Sequence, residues 1–298
     1  MLSVVIVAWN EEKTLPRAIA SVRTLADEIV VVDTQSTDNT VAVAKKLGCR
    51  VYSHKNTGVV EPVRNYSIGR ARGDWILILD ADEEVPAALA NKIRAVIEGE
   101  ADYYRIPRKN IIFGRWIKSS HWWPDYVYRL FKKDHVTWSE VIHSVPQTRG
   151  LGADLEARDD LAIVHHHYSS IGQYVERLNR YTDYQKQAVV DRGYIFSGRD
   201  LVLRPIDEFF RQFFSRQGYR DGIHGLALAS LQAFSELVLY SKIWQDHKFA
   251  SMDVDLAGLQ QDLQVKAREF VWWKYQVEID QSGIIGKIVW KLRRKLGL

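Results

Sequence analysis

The run Trp75-Ile76-Leu77-Ile78-Leu79 is apolar without a break and stops on Asp80-Ala81-Asp82-Glu83-Glu84. An alternating strand leaves one face polar. A continuous one must be covered on both faces, as in the interior of a parallel sheet. Val4 to Ala8, Ile29 to Val32 and Val51-Tyr52 read as three earlier strands of the same kind. Between them Leu15, Ala18, Ile19, Val22 and Leu25 recur at helical spacing. Thr37 can cap a helix that ends before Gly48, and Pro62 opens another, which Gly73 ends. A further helix, Ala87 to Glu98, follows Pro86. Strands and helices in this alternation predict an α/β fold, a Rossmann-like, mostly parallel sheet flanked by helices.

The pattern then changes. From Tyr103 to Gln147 aromatics and alternation predict shorter, antiparallel strands. From about Ser169 the chain reads as helical, with amphipathic segments at 171–193, 205–217 and 225–244 and a last one at 256–298. The expected organisation is one domain over 1–168, with halves 1–100 and 101–168, and a helical region over 169–298. Within the latter, Phe209, Phe210, Phe213 and Phe214 read as core packing.

With 46% hydrophobic residues in 298, the chain can bury a substantial core. The formal charge of +4 comes from basic and acidic residues interleaved over most of the chain, which argues against nucleic acid as a partner. Cys49 is the one cysteine, so an intramolecular disulfide and a cysteine zinc site are excluded. The first residues read as a strand and lack a basic, cleavable leader, so no signal peptide is expected. No run of about 18 uninterrupted apolar residues occurs, so no spanning helix is expected. The nearest, Leu226 to Trp244, contains Gln232, Glu236 and Lys242.

In such sheets ligands bind beyond the carboxyl ends of the strands. The first end carries Ala8-Trp9-Asn10-Glu11, which has no dinucleotide glycine fingerprint; the indole can stack on a base and the polar pair can reach base or ribose. The second end carries Asp33, whose carboxylate can accept a pyrimidine N–H, and then a polar cluster in which Thr37 and Asp38 cap the next helix. The fourth end carries Asp80-Ala81-Asp82. In an extended segment these two carboxylates share a side, and their repulsion calls for a cation such as Mg²⁺ or Mn²⁺ that also binds a diphosphate. Arg64 can pair with a phosphate or face solvent. Arg129 can be structural. In His165-His166-His167, strand geometry puts His165 and His167 on one face, from which either can reach a diphosphate.

In order and spacing, the strings 3–11, 32–40 and 73–83 resemble glycosyltransferase family 2. Many members carry Pro-Thr-Tyr-Asn-Glu where this chain has Val7-Ala8-Trp9-Asn10-Glu11. The resemblance implies a GT-A fold and a metal-dependent transferase. The donor is then a nucleotide sugar, a UDP-hexose in the first instance, with Ala8, Trp9, Asn10, Glu11, Asp33, Arg64, Asp80 and Ala81 around it and Asp80 and Asp82 on the metal. His121-Trp122-Trp123-Pro124-Asp125, Trp138-Ser139-Glu140-Val141-Ile142-His143 and Gly218-Tyr219-Arg220-Asp221-Gly222 resemble the branch of lipopolysaccharide core β-1,4-glucosyltransferases that act on heptose. That branch implies glucose as the sugar and a glycolipid or lipopolysaccharide-core acceptor. An inverting member needs a general base for the acceptor hydroxyl, with Asp125 as first candidate and Glu140 as second; His143 is a candidate third metal ligand. Transfer to a polyprenyl phosphate, which needs no base, and a non-catalytic sugar- or nucleotide-binding protein are the alternatives. The segment 284–295 mixes apolar anchors, Trp290 and an unbroken basic set. It is expected to lie on an anionic membrane surface and make the protein peripheral on the cytoplasmic face.

Overall fold

A computed structural model of the chain describes residues 1–58, 61–139 and 145–296. Two compact units result, Met1–Lys118 with Trp122–His167, and Ser119–His121 with Tyr168–Leu298.

In the first unit β1 (Leu2–Ala8), β2 (Glu28–Asp33), β3 (Arg50–Ser53) and β4 (Trp75–Asp80) are parallel, in the order β3-β2-β1-β4. Helices α1 (Leu15–Val22), α2 (Thr40–Lys46) and α3 (Glu61–Arg70) connect them, and α4 (Ala87–Val96) follows. The continuous apolar runs are explained by cover on both faces. Val4, Ile6, Val31, Leu77 and Leu79 pack with α1, α2 and α4 through Leu15, Ile19, Ala44, Leu89 and Ile93. Val5, Val30, Val32, Ile76 and Ile78 point the other way and pack with Val63 and Ile68 of α3. The sheet grows from β1 toward β3, and the chain then returns to place β4 on the other side of β1. That reversal opens a crevice at the carboxyl ends of β1 and β4.

Beyond Asp80 the strands are β5 (Glu83–Glu84), β6 (Tyr103–Ile112), β7 (Arg115–Trp116), β8 (Asp125–Lys132), β9 (Val136–Thr137), β10 (Gln147–Thr148), β11 (Gly152–Asp154) and β12 (Ile163–Tyr168). Among the described residues they complete a ten-stranded sheet, β3-β2-β1-β4-β8-β6-β12-β5 with β7 and β11 beside β6, while β9 and β10 pair separately. β8 is antiparallel to β4 and to β6, as the alternation predicts. Its first residues therefore lie toward the carboxyl end of β4, which brings Asp125 and Arg129 to the crevice. The fold is the GT-A arrangement.

The second unit contains α5 (Ile171–Asp191), α6 (Asp200–Phe210), α7 (Ile223–Asp246), α8 (Leu256–Gln281) and α9 (Ile284–Leu296). Ser170 caps α5 by accepting the Gln173 N–H at 3.2 Å, and Asp255 caps α8 by accepting that of Gly258 at 2.9 Å. Phe210 and Phe214 are buried, and the Phe214 ring stacks on Trp273 at 5.9 Å, so the phenylalanine cluster is packing. Among the described residues α7 alone is long and apolar enough, by length and composition, to cross a membrane. Its Lys242 pairs with Asp183 of α5 at 2.7 Å.

Several boundaries differ from expectation. Helix α2 starts at Thr40, where Asp38 Oδ1 accepts the Thr40 N–H at 2.9 Å, and Thr37 bonds Asn10 instead of capping. Helix α3 ends at Arg70, before Gly73. Pro205 lies inside α6, because the helix begins five residues earlier at Asp200, whose carboxylate accepts the Ser197 N–H at 2.9 Å. The last segment is two helices, since Ser282 is extended.

Candidate active site

The ends of β2, β1 and β4 are adjacent, with Ala8 beside Asp33 and Val7 beside Asp80. Ala8 is buried and Trp9 is 47% exposed. Asn10 has φ 57°, a left-handed turn that asparagine tolerates. Its Oδ1 accepts the Thr37 N–H at 2.8 Å and its N–H goes to Ser36 Oγ at 2.8 Å. The Glu11 N–H goes to Thr40 Oγ1 at 2.8 Å, and the Glu11 carboxylate takes the Thr14 hydroxyl. Asn10 and Glu11 thus stitch the first turn to the second, and the indole of Trp9 is left facing solvent. Asp33 is buried and accepts the Ser36 N–H at 3.2 and 3.3 Å.

At the β4 end the chain turns over Ala81-Asp82 instead of continuing extended, so the same-side argument for Asp80 and Asp82 does not apply. Each carboxylate has its own partners. Asp80 takes Arg129 Nη2 on Oδ2 and, at 3.4 Å, Arg64 on Oδ1, while its N–H bonds Glu83 Oε2 at 2.9 Å. Arg129 is fully buried and also reaches Glu83 Oε1 at 2.7 Å. Burial alone would push the Asp80 carboxyl up, but the Arg129 and Arg64 guanidiniums outweigh it and hold Asp80 well below the usual carboxylate range. Glu83 is completely buried, so Arg129→Met removes its nearest counter-charge and leaves it only the longer Arg108 contact at 3.4 Å. The expected loss is about 3–5 kcal/mol of stability by urea denaturation. A loss under about 1 kcal/mol would mean that Arg129 does not hold this cluster.

The antiparallel register then sets Arg108 of β6 opposite Asp125 of β8. Arg108 gives Nε at 2.8 Å and Nη2 at 2.6 Å to Asp125 Oδ2, and Asn110 Nδ2 reaches the same oxygen at 3.0 Å. Asp125 Oδ1 has no hydrogen-bond partner among the described residues, and Asp125 lines a cleft of about 430 Å³ together with Asp80, Arg64, Arg108, Tyr126 and Trp138. The Asn110 amide is oriented by what it donates to, since Nδ2 serves Asp125 and the Trp122 carbonyl. Its Oδ1 must then accept the Nδ1–H of His165, at 2.6 Å. Nε2 of His165 then faces Asp82 Oδ2, 3.5 Å away, and His167 Nδ1 at 3.1 Å. His166 lies apart from this set and bonds Glu84 Oε1 at 2.5 Å.

Glu140 and His143 lie outside the described residues. Arg108, Asn110 and Glu83 are the site residues that sequence reasoning missed. The alternation of Arg108 and Asn110 on one face of β6 is the signal that could have found the first two.

Residues 3–151, half of the chain, match the family described as glycosyl transferase family 2. The chain belongs to glycosyltransferase family 2. Relatives matched over most of the chain carry glycosyltransferase names. An uncharacterized glycosyltransferase of Rickettsia conorii is 28% identical over 252 residues, covering 81% of this chain and 89% of that protein. The lipopolysaccharide core biosynthesis glycosyltransferase LpsC of Rhizobium meliloti is 25% identical over 263 residues, covering 83% and 93%. Among solved structures, S. aureus TarS 1-349 is 16% identical, covers 85% of this chain and 94% of that one, and has a TM-score of 0.44. As a family 2 glycosyltransferase the protein is an enzyme, a transferase.

Proposed function

We propose that the protein is an inverting, divalent-cation-dependent hexosyltransferase. It moves a hexose, glucose in the first instance, from a UDP-sugar to a hydroxyl of a glycolipid or lipopolysaccharide-core saccharide. The observation that carries this reading is Asp125: one carboxylate oxygen is fixed by Arg108 and Asn110, and the other is left for a proton at a cleft bordered by Asp80. The name of the LpsC relative supports the class of acceptor.

In this reading the base lies against Trp9 with Asp33 as acceptor for its N–H, and the diphosphate extends toward β4. Asp33 and Asp80 are two strand spacings apart, about 10 Å, within the span of a nucleoside diphosphate. Among the described residues no three carboxylate, histidine or cysteine side chains hold a metal by themselves. Asp82 Oδ2 and His165 Nε2, 3.5 Å apart, are nevertheless the carboxylate and imidazole that would hold such a cation. Mg²⁺ or Mn²⁺ held there would neutralise charge on the departing diphosphate. Asp80 itself is neutralised by Arg129 and Arg64, so its part is to shape the turn and face the donor. Asn110 sets the proton of His165 and so leaves Nε2 able to act as a ligand. Asp125 Oδ1 takes the proton of the acceptor hydroxyl as it attacks, and Arg108 keeps the carboxylate aimed.

The test is the stereochemistry of transfer. With an α-linked UDP-hexose, Mn²⁺ and a core oligosaccharide, proton NMR of the product is expected to show a β linkage. An α-linked product would rule out the single-displacement reading and the role given to Asp125.

A further inference from the structure

A surface helix of a water-soluble domain turns its apolar stripe inward. Helix α9 does the reverse. Its side toward α8 is made by Trp290, 6.2 Å from the Tyr275 ring, and by Arg294, which bonds Gln276 Oε1 at 2.8 Å and lies over Trp272 at 5.3 Å. With 3.6 residues per turn, Ile284, Ile285, Ile288, Val289 and Leu292 fill an arc of about 140° centred nearly opposite that contact. All five are exposed, Ile284 and Ile285 by 83% and 80%. Lys287 and Lys291 border the stripe on one side and Arg293 on the other, Lys295 follows the stripe's last residue at the end of the helix, and no acidic residue occurs in the helix.

We propose that this outward stripe of α9 seats in the surface of an anionic lipid bilayer, as a peripheral anchor. The composition selects that occupant. Apolar side chains enter below the headgroups while a rim of lysine and arginine meets anionic lipid. A second copy of the same face would set one all-basic helix against another, which like-charge repulsion opposes.

The experiment is flotation of the full chain with vesicles of phosphatidylcholine alone and of phosphatidylcholine mixed with phosphatidylglycerol. The chain is expected to float with the mixed vesicles, far less with the neutral ones, and less as salt is raised. Ile285→Glu with Ile288→Glu should cut partitioning by about a hundredfold, as should a chain ending at Gly283. Lys287→Glu, Lys291→Glu and Lys295→Glu together should abolish the preference for anionic lipid. Circular dichroism should show that each variant melts as the wild type does. Failure of the wild type to float with anionic vesicles, or equal flotation of the isoleucine variant, would overturn the proposal. So would a dimer in light scattering that the isoleucine variant converts to monomer without any vesicle binding, since the stripe would then be a contact between copies.

Discussion

Asp125→Asn is expected to slow transfer to a sugar hydroxyl by on the order of a thousandfold, with the donor KM changed by less than about threefold. Asparagine keeps the size of the side chain and can still give its carbonyl oxygen to Arg108 and Asn110, which now hold Asp125 Oδ2 at 2.6 to 3.0 Å. The group turned to the cleft becomes an amide NH₂, which cannot take a proton. Arg108 retains a partner in Glu83 at 3.4 Å, so the variant should fold, and its thermal midpoint serves as the control. Full activity in Asp125→Asn would move the base to Glu140. It would equally fit an acceptor that is already anionic, and a polyprenyl phosphate used in place of the saccharide would separate those two outcomes.

Asp82→Ala is the second large effect. Transfer in the presence of Mn²⁺ is expected to fall by at least about a hundredfold, with the loss appearing in the donor term as well as in turnover. Asp82 lies two residues past the end of β4, on the turn, its Oδ2 opposite His165 Nε2, while Asp80 is already neutralised by Arg129. Removing Asp82 therefore takes away the carboxylate open to a cation and leaves the Asp80–Arg129–Glu83 cluster intact. His165→Ala should show a smaller loss of the same kind. Full Mn²⁺-dependent activity in Asp82→Ala would place the cation elsewhere.

The parallel half of the fold is legible in the sequence because burial on both faces leaves an unmistakable trace. Trp75 to Leu79 can hardly be anything but a central strand, and a carboxylate just beyond such a strand is at a crevice by topology alone. The antiparallel half is legible only as a type of structure. Nothing in the spacing of Arg108, Asn110, Asp125 and Arg129 reveals the register that sets Arg108 against Asp125 and carries Arg129 to Asp80, because that register is fixed by pairing between strands distant in sequence. The same holds for the histidine tract. Alternation separates His166 from His165 and His167, but only the Asn110 amide shows where the His165 proton sits. Asn10 and Glu11 illustrate the converse. Their chemistry suits a ligand, yet in the folded chain they are engaged in fastening two turns, and the indole beside them is what remains exposed. In α9 the amphipathic pattern is plain in the sequence, whereas the direction in which its apolar side faces is not.

In the proposed reading the carboxyl ends of β1, β2 and β4 bind a nucleoside diphosphate together with a divalent cation. Calorimetric titration of UDP into the wild-type protein, with Mn²⁺ and then with excess chelator, tests it most directly. Saturable one-to-one binding is expected with Mn²⁺, weakened at least about tenfold by the chelator and by Asp82→Ala. No binding of UDP under any of these conditions, or equal affinity with and without Mn²⁺, would contradict the account.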